Sequence, residues 1–228
     1  MRTKIIPLRG NMTAQRAGQS LPPNTLSHSY IFNTTAAGYD YLTQLPNGER
    51  ELMLGAAYSR KIGYDSVGNI DDSTYDKHIG AHLGGVLPRY FGEENWGAEA
   101  QPTGDSTGAD WAKGRVKATW SGILGISVDW MPWVGRLSTK ISGRSPPPAS
   151  ALPQLHGIAQ GTTLFRTCPG EWIAAGYTGE GMVHAWLSGK ALADMILGGE
   201  REAALSEWFP EAMRVTHSRW KKARPENL

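Results

Sequence analysis

Residues 171–197 hold the residue types and spacing of a ligand-binding turn. Residues 172–175 form a short apolar run of strand length, and Gly176, Gly179 and Gly181 follow at positions that permit backbone approaches a Cβ would forbid. A helix that begins on bare glycines exposes N–H groups and the positive end of its dipole, which suits an anionic or electron-rich ligand. A packed strand–helix unit with a tight turn and no ligand explains the same pattern equally well.

The helix predicted after this turn has apolar residues at spacings of three and four. These spacings predict one buried face, made of Met182, Ala185, Trp186, Leu192, Ala193 and Ile196. In the opening turn, Glu180 places an acid where the helix dipole favours it, and a surface position is its default interpretation.

The turn resembles the flavin-contacting turn of the D-amino-acid-oxidase-like FAD-dependent oxidoreductases, which include glycine, sarcosine and D-amino-acid oxidases. The family pattern A-G-[FHY]-[ST]-G-x-G-[MF] is matched by Ala175, Gly176, Tyr177, Thr178, Gly179, Gly181 and Met182. Four earlier segments resemble family segments in the same order: residues 5–12 (P-x-R-G-x-M), 39–55 (the sheet over the substrate cavity), 120–122 (W-x-G) and 129–135 (D-G-x-P-x-x-G).

The resemblance implies a non-covalent FAD that takes a hydride from a carbon bearing an amine, with an amine or amino acid as substrate. It implies that the flavin is contacted by Gly176, Tyr177, Thr178, Gly179, Glu180, Gly181, Met182 and Val183. The N–H groups of residues 181–183 would face the flavin pyrimidine edge and stabilise the reduced form. Alternatively, Tyr177 only packs and Thr178 only caps the turn.

Aromatic residues and an arginine usually position the substrate in this family. By location alone, the candidates are Tyr30, Tyr41, Tyr58, Arg60 and Trp133, each of which also has a structural interpretation. The resemblance identifies no certain catalytic residue.

The chain departs from the family at three points. The dinucleotide fingerprint G-x-G-x-x-G is absent from the sequence, and His184 stands where a third glycine would follow Gly179 and Gly181. Trp130 replaces the usual glycine of D-G-x-P, and residues 117–119 offer no cysteine for a covalent flavin. The sequence also starts almost at once with a strand. The missing fingerprint and this early strand predict a C-terminal half whose partner is a missing N-terminal FAD domain.

The composition favours a globular protein without nucleic-acid or membrane partners. The chain has 228 residues, of which 40% are hydrophobic and 19% charged, and its formal net charge is +2. It contains no apolar run near the ~20 residues of a membrane span and no signal peptide, so we expect a cytoplasmic location. Cys168, the one cysteine, is interpreted as an idle thiol.

A metal site is not predicted. His78 and His82 lie four residues apart on a predicted helix, a spacing compatible with metal binding, but no third ligand accompanies them.

The surrounding elements predict an α+β fold, with a mostly antiparallel sheet, a flanking helix and the C-terminal strand–turn–helix. Strands are expected at residues 3–8, 29–35, 38–45 and 51–58, with a hairpin at Ala36-Ala37 and a turn at residues 46–49. A helix at 74–91 would have Asp72 or Ser73 as N-cap, and residues 115–129 would form a strand broken in its middle. The buried face of the helix at 74–91 would comprise Ile79, Leu83, Val86 and Leu87.

The predicted organisation has five parts. Residues 1–10 form a connecting strand, 11–135 the substrate-binding domain, 136–170 a proline-rich linker, 171–198 the flavin-contacting unit and 199–228 a basic tail. The function expected is that of an FAD-dependent oxidoreductase fragment oxidising a C–N bond. The alternative is a truncated, cofactor-free protein that binds a partner or has no catalytic activity.

Overall fold

The computed structural model describes residues 1–22, 24, 26–35, 38–56, 66–99, 114–145 and 170–227. The chain divides into two compact units, one of residues 7–123 and one of residues 1–6 with 124–228. The boundaries expected from the sequence lie at residues 10 and 135. The predicted α+β class, with a mostly antiparallel sheet, is confirmed.

A five-stranded sheet dominates the first unit. Its strands are β1 (Ile5–Gln15), β2 (Tyr30–Thr35), β3 (Gly38–Gln44), β4 (Leu52–Ala56) and β5 (Val116–Ser127). Their order across the sheet is β2-β3-β4-β1-β5. The predicted hairpin is confirmed, because β2 and β3 pair antiparallel; Ala36 and Ala37 themselves lie outside the described residues. Between β3 and β4, Gly48 takes a positive φ of 67° in a turn closed by Arg50 N–H on the Asn47 carbonyl.

Two strand predictions were wrong in extent. β1 runs seven residues beyond the predicted end at Leu8. The prediction stopped short because the inward side chains there are polar: Asn11, Thr13 and Gln15 are buried and hydrogen-bonded. β5 is continuous where a break was expected. Gly125 marks a close approach rather than a break, since a Cβ there would stand 3.2 Å from the Ile5 side chain.

The helix α1 (Lys77–Phe91) packs on the sheet, and α2 (Glu93–Trp96) follows it. The predicted N-cap was wrong: Asp76 caps α1 by accepting from the N–H groups of His78 and Ile79. The predicted inner face is correct. Leu83, Val86 and Leu87 are buried against Leu42, Leu52 and Leu54 of the sheet, and Ile79 is partly buried beside them.

A proline lies inside α1 and deprives one carbonyl of its helical partner. Pro88 has no N–H, so the Gly84 carbonyl four residues earlier receives no helical hydrogen bond. The Arg115 guanidinium donates to that carbonyl instead. The helix therefore continues through the proline with its backbone satisfied.

The second unit is built on an antiparallel pair, β6 (Trp133–Leu137) and β7 (Glu171–Ala175). Its helices are α3 (Thr139–Ser142), α4 (Gly181–Leu197), α5 (Glu200–Ala203) and α6 (His217–Lys222). Its core joins β6 to α4 and the segment after α5 through Val134, Ala191, Met195, Leu205 and Phe209. The predicted order of strand, turn and helix over residues 171–197 is confirmed.

The helices of the described part of the chain include none long and apolar enough to cross a membrane. Part of the predicted basic tail is packed against the rest of this unit. Val215 N–H donates to the Val134 carbonyl, and Arg219 bonds Asp129.

Candidate functional site

The turn between β7 and α4 is held in a strained conformation. Gly176 and Gly179 have positive φ angles of 77° and 88°, and Thr178 between them has 56°. A β-branched residue in this region is rare and costs free energy, so the surrounding structure must hold it there. Three contacts do so. Thr178 N–H donates to the Gly125 carbonyl at 3.1 Å, and Thr178 Oγ1 accepts from Ser127 N–H and donates to the Gly176 carbonyl.

The glycines of the turn serve different purposes. Gly176 is required by the fold, because a Cβ there would meet Ile5 at 3.2 Å and Trp133 at 3.3 Å, in addition to the positive φ. Gly181 has an ordinary φ, and the space within 4 Å of its missing Cβ is empty. The fold therefore does not explain a glycine at 181, whereas a flat ligand against the helix end would.

Two backbone donors at the start of α4 are available. Val183 and His184 both donate their N–H groups to the Glu180 carbonyl at 3.1 Å. In the described part of the chain, the N–H groups of Gly181 and Met182 have no acceptor. The three donors expected from the sequence are thus reduced to two. The Glu180 side chain is exposed and makes no capping bond.

The predicted buried face of α4 was wrong. Met182 and Trp186 are 102% and 86% exposed, and Ala185 and Ala193 are exposed too; only Leu192 and Ile196 are partly covered. The helix is apolar on most of its circumference, so periodicity alone could not say which side faces β6 and β7. The buried positions are Ser188, Ala191, Asp194 and Met195.

An apolar stripe therefore runs along the first two turns of α4 and faces solvent. It consists of Met182, Val183, Trp186 and Leu187, all more than half exposed. Their spacing of one and four residues places them on one side of the helix. The stripe begins at the same residue that offers a free N–H, so the helix end and its exposed side form one surface.

The segment after β5 is fixed by the C-terminal helix α6. Both Asp129 carboxylate oxygens accept from Arg219, at 2.8 and 2.9 Å, and Oδ1 also accepts from Ser127 Oγ at 2.7 Å. Burial acts to raise the pKa of Asp129, but these hydrogen bonds outweigh it and lower that pKa. Trp130 has a positive φ of 64°, a backbone conformation that favours glycine.

Trp133, a candidate substrate residue, lies in the core of this unit. It has no exposed surface, its indole N–H donates to Ser127 Oγ at 2.9 Å, and the Arg219 guanidinium lies 3.7 Å from the ring centroid. Ser127 and Arg219, which contact the indole, are also the partners of Asp129. The indole is fully enclosed and has no surface for a ligand.

The tyrosine candidates lie on opposite faces of the five-stranded sheet. Tyr30 pairs with Leu42, whose side chain is buried against α1, whereas Tyr41 pairs with Ile31 and Gly55 on the other face. A Cβ on Gly55 would stand 2.3 Å from the Tyr41 ring, so the ring lies directly over the glycine. Burial raises the pKa of Tyr41, which remains a neutral phenol. Tyr58 and Arg60 lie outside the described residues.

A second group of polar side chains was missed by the sequence analysis. Asp40 is 3% exposed and bonds both His82 and Tyr90 of α1. The available signal was an acid at an inward position of β3, between Tyr39 and Tyr41 and two residues before Leu42. The spacing of His82 from His78 indicates metal binding and gives no sign of its partner Asp40. Over the described residues, no three potential metal ligands come together.

No family model matches the chain, and no curated protein matches it. The likeness to the D-amino-acid-oxidase-like family therefore rests on the residues quoted above.

Proposed function

We propose that this chain supplies the flavin-contacting turn and the substrate domain of an FAD-dependent oxidoreductase acting on the C–N bond of an amine or amino acid. The observation that carries the proposal is the start of α4, where two unpaired N–H groups adjoin a glycine that the fold does not require. FAD, when bound, would supply the hydride acceptor for oxidation of the amine to an imine, which water then hydrolyses.

The chain's own contribution at this site is electrostatic. The 17-residue helix α4 has a positive electrostatic potential at its N-terminus, where the N–H groups of Gly181 and Met182 lie. This potential would stabilise the negative charge of a reduced flavin ring. Because Thr178 is bonded to β5 on both its N–H and its Oγ1, these donors are fixed before any ligand arrives. Glu180 opposes an anion, and its exposed side chain is free to turn into solvent.

The exposed stripe of Met182, Val183, Trp186 and Leu187 supports a separate dinucleotide-binding unit as partner. A stripe of large apolar residues on one side of a helix marks a surface that another body covers. Such a unit would also provide the pyrophosphate cradle that a G-x-G-x-x-G turn forms, which this sequence does not contain. Of the substrate candidates, Tyr41 has the best support, since its ring lies on the sheet face opposite α1.

The test is a flavin titration of the purified chain with one variant and one matched control. Gly181 and Gly189 both belong to α4, and both have empty space where a Cβ would stand. We expect the wild type and Gly189→Leu to change flavin absorbance and fluorescence to the same extent, and Gly181→Leu to bind at least about tenfold more weakly.

The alternative, a cofactor-free binding module, is supported by the same exposed stripe. It predicts no change in the flavin spectra for any of the three proteins. Equal changes for all three would place a flavin away from residue 181. Either result would overturn the proposal for this chain, because a flavin held elsewhere would not sense residue 181.

A further inference from the structure

A cleft of about 670 Å³ lies beside α1 in the unit of residues 7–123. Its walls come from β2 and α1, and they include Phe32, His82, Arg89 and Tyr90. The Phe32 and Tyr90 rings are stacked with their centroids 4.2 Å apart and their planes 16° apart. The cleft thus has an aromatic side and a charged side.

Asp40 underlies the charged side. Its Oδ2 lies 2.7 Å from His82 Nε2 and accepts from the Tyr90 hydroxyl at 2.5 Å. The hydrogen bond to Asp40 raises the pKa of His82, against the effects of burial and of Arg89, which favours the imidazolium form. Burial and the same carboxylate raise the pKa of Tyr90, which therefore remains a donor to Asp40.

His82 still has one donor to offer. Its side chain is 43% exposed, and its Nε2 is committed to Asp40. In the part of the chain that the structure describes, its Nδ1 has no partner. A protonated ring would therefore direct a second N–H away from the buried carboxylate.

Arg89 adds a second positive charge to the same cleft. It is exposed and makes no ion pair with any described residue, while its charge acts on both His82 and Tyr90. With His82 protonated, the cleft holds two cations against one carboxylate, and that carboxylate already has two donors. An anion would balance the remaining charge, and the planar guanidinium suits an oxyanion.

We propose that this cleft binds a small organic oxyanion, held between His82 Nδ1 and the Arg89 guanidinium, with its apolar part against Phe32 and Tyr90. Neutral ligands would gain nothing from the two cations, and cations would be repelled. The inference does not depend on flavin binding, because the turn before α4 belongs to the other unit.

The test follows the histidine ring resonances by proton NMR, with His82 assigned from its absence in His82→Gln. Phenylacetate and phenyl phosphate are the probes, and uncharged phenylacetamide is the control ligand. We expect at least one of the two anions to shift the His82 resonance to saturation, and the stronger binder identifies whether the group is a carboxylate or a phosphate. Phenylacetamide should leave the resonance unchanged.

Arg89→Gln should weaken the anion at least about tenfold, whereas Lys77→Gln, which also removes one exposed charge from α1, should leave affinity unchanged. Affinity should also fall as the pH rises through the pKa of His82. The charged or titratable groups facing His82 are Asp40 from β3 and Arg89 and Tyr90 from α1; β2 contributes Phe32, which does not titrate.

Three results would overturn the proposal. The first is the absence of a His82 shift with either anion. The second is binding that Arg89→Gln and Lys77→Gln reduce equally, which would indicate net charge rather than a site. The third is equal binding of phenylacetamide, which would show that only the aromatic wall attracts the probe.

Discussion

The turn before α4 and the cleft beside α1 offer a ligand opposite kinds of group. The turn presents backbone N–H groups, fixed by a strained Thr178 and by glycines close together in the sequence. The cleft presents side chains on Asp40, His82 and Arg89, brought together from a strand and a helix more than 40 residues apart. A site made of backbone is therefore vulnerable to added atoms, whereas a site made of side chains is vulnerable to removed ones.

Gly176→Ala should have the largest effect. The new methyl group would occupy a left-handed conformation and meet Ile5 and Trp133 at 3.2–3.3 Å, so we expect a loss of about 2–4 kcal/mol in the free energy of unfolding. Urea denaturation measures it. Gly181→Ala is the matched control, and it should change stability by less than about 1 kcal/mol, because its surroundings are open. Equal losses in the two variants would contradict the distinction drawn between these glycines.

Asp40→Asn should have the next largest effect, in the cleft. It removes the charged acceptor of two hydrogen bonds from a buried position, and we expect a loss of about 1.5–3 kcal/mol. The pKa of His82 should return toward its ordinary value of 6.5, as NMR titration would show. Asp72→Asn, at an exposed position, should change stability by about 0.5 kcal/mol or less. An unchanged His82 titration would contradict the pairing.

The pH dependence of stability should divide between the two regions. The raised pKa of His82 adds stability that is fully present below its unfolded value, about 6.5, and is lost as the pH rises through the folded value. The lowered pKa of Asp129 adds stability present above its unfolded value, about 3.9, and lost as the pH falls through the folded value.

Urea midpoints measured across pH would separate these two contributions. His82→Gln should flatten the dependence above pH 6.5 and leave the acid side unchanged. Arg219→Gln should do the reverse, because it removes the main donor to Asp129. A variant that changes both sides equally would show that the two regions do not titrate separately.

Trp130→Gly should have the smallest effect. Glycine relieves a left-handed φ of 64°, which favours the variant by about 1 kcal/mol, while the partly covered indole is lost. We expect a net change between zero and about 1 kcal/mol of stabilisation, measured by thermal unfolding. A loss above about 1 kcal/mol would mean that indole packing outweighs the backbone strain.

The features that the sequence predicted correctly depend on local chemistry. Glycines at 176 and 179 mark positions where φ is positive, and the spacing of Leu83, Val86 and Leu87 identifies the inner face of α1. The β2–β3 pairing likewise follows from two β-rich runs separated by two residues. In each case neighbouring residues contain the whole signal.

The features that the sequence missed depend on distant partners. Buried Asn11 accepts from Asp76 N–H through Oδ1, and Gln15 donates to α1 through Nε2. Because these inward side chains are polar, an apolar pattern does not reveal the length of β1. The exposed side of α4 at Trp186 was decided by contacts with β6 and β7, since the helix is apolar on most sides. Asp40 becomes noticeable as a site only when α1 places His82 and Tyr90 over it.

The hydrogen bond from Arg115 to the Gly84 carbonyl has a consequence for how α1 can open. With Pro88 unable to bond that carbonyl, the last turn of α1, which carries Arg89 and Tyr90, is joined to the rest of the helix by one fewer backbone bond. Arg115, the residue before β5, donates to the Gly84 carbonyl from outside the helix. Removing that guanidinium, as in Arg115→Met, should let the last turn of α1 fray and accelerate its amide exchange. The substitution would thus change the cleft although Arg115 does not line it.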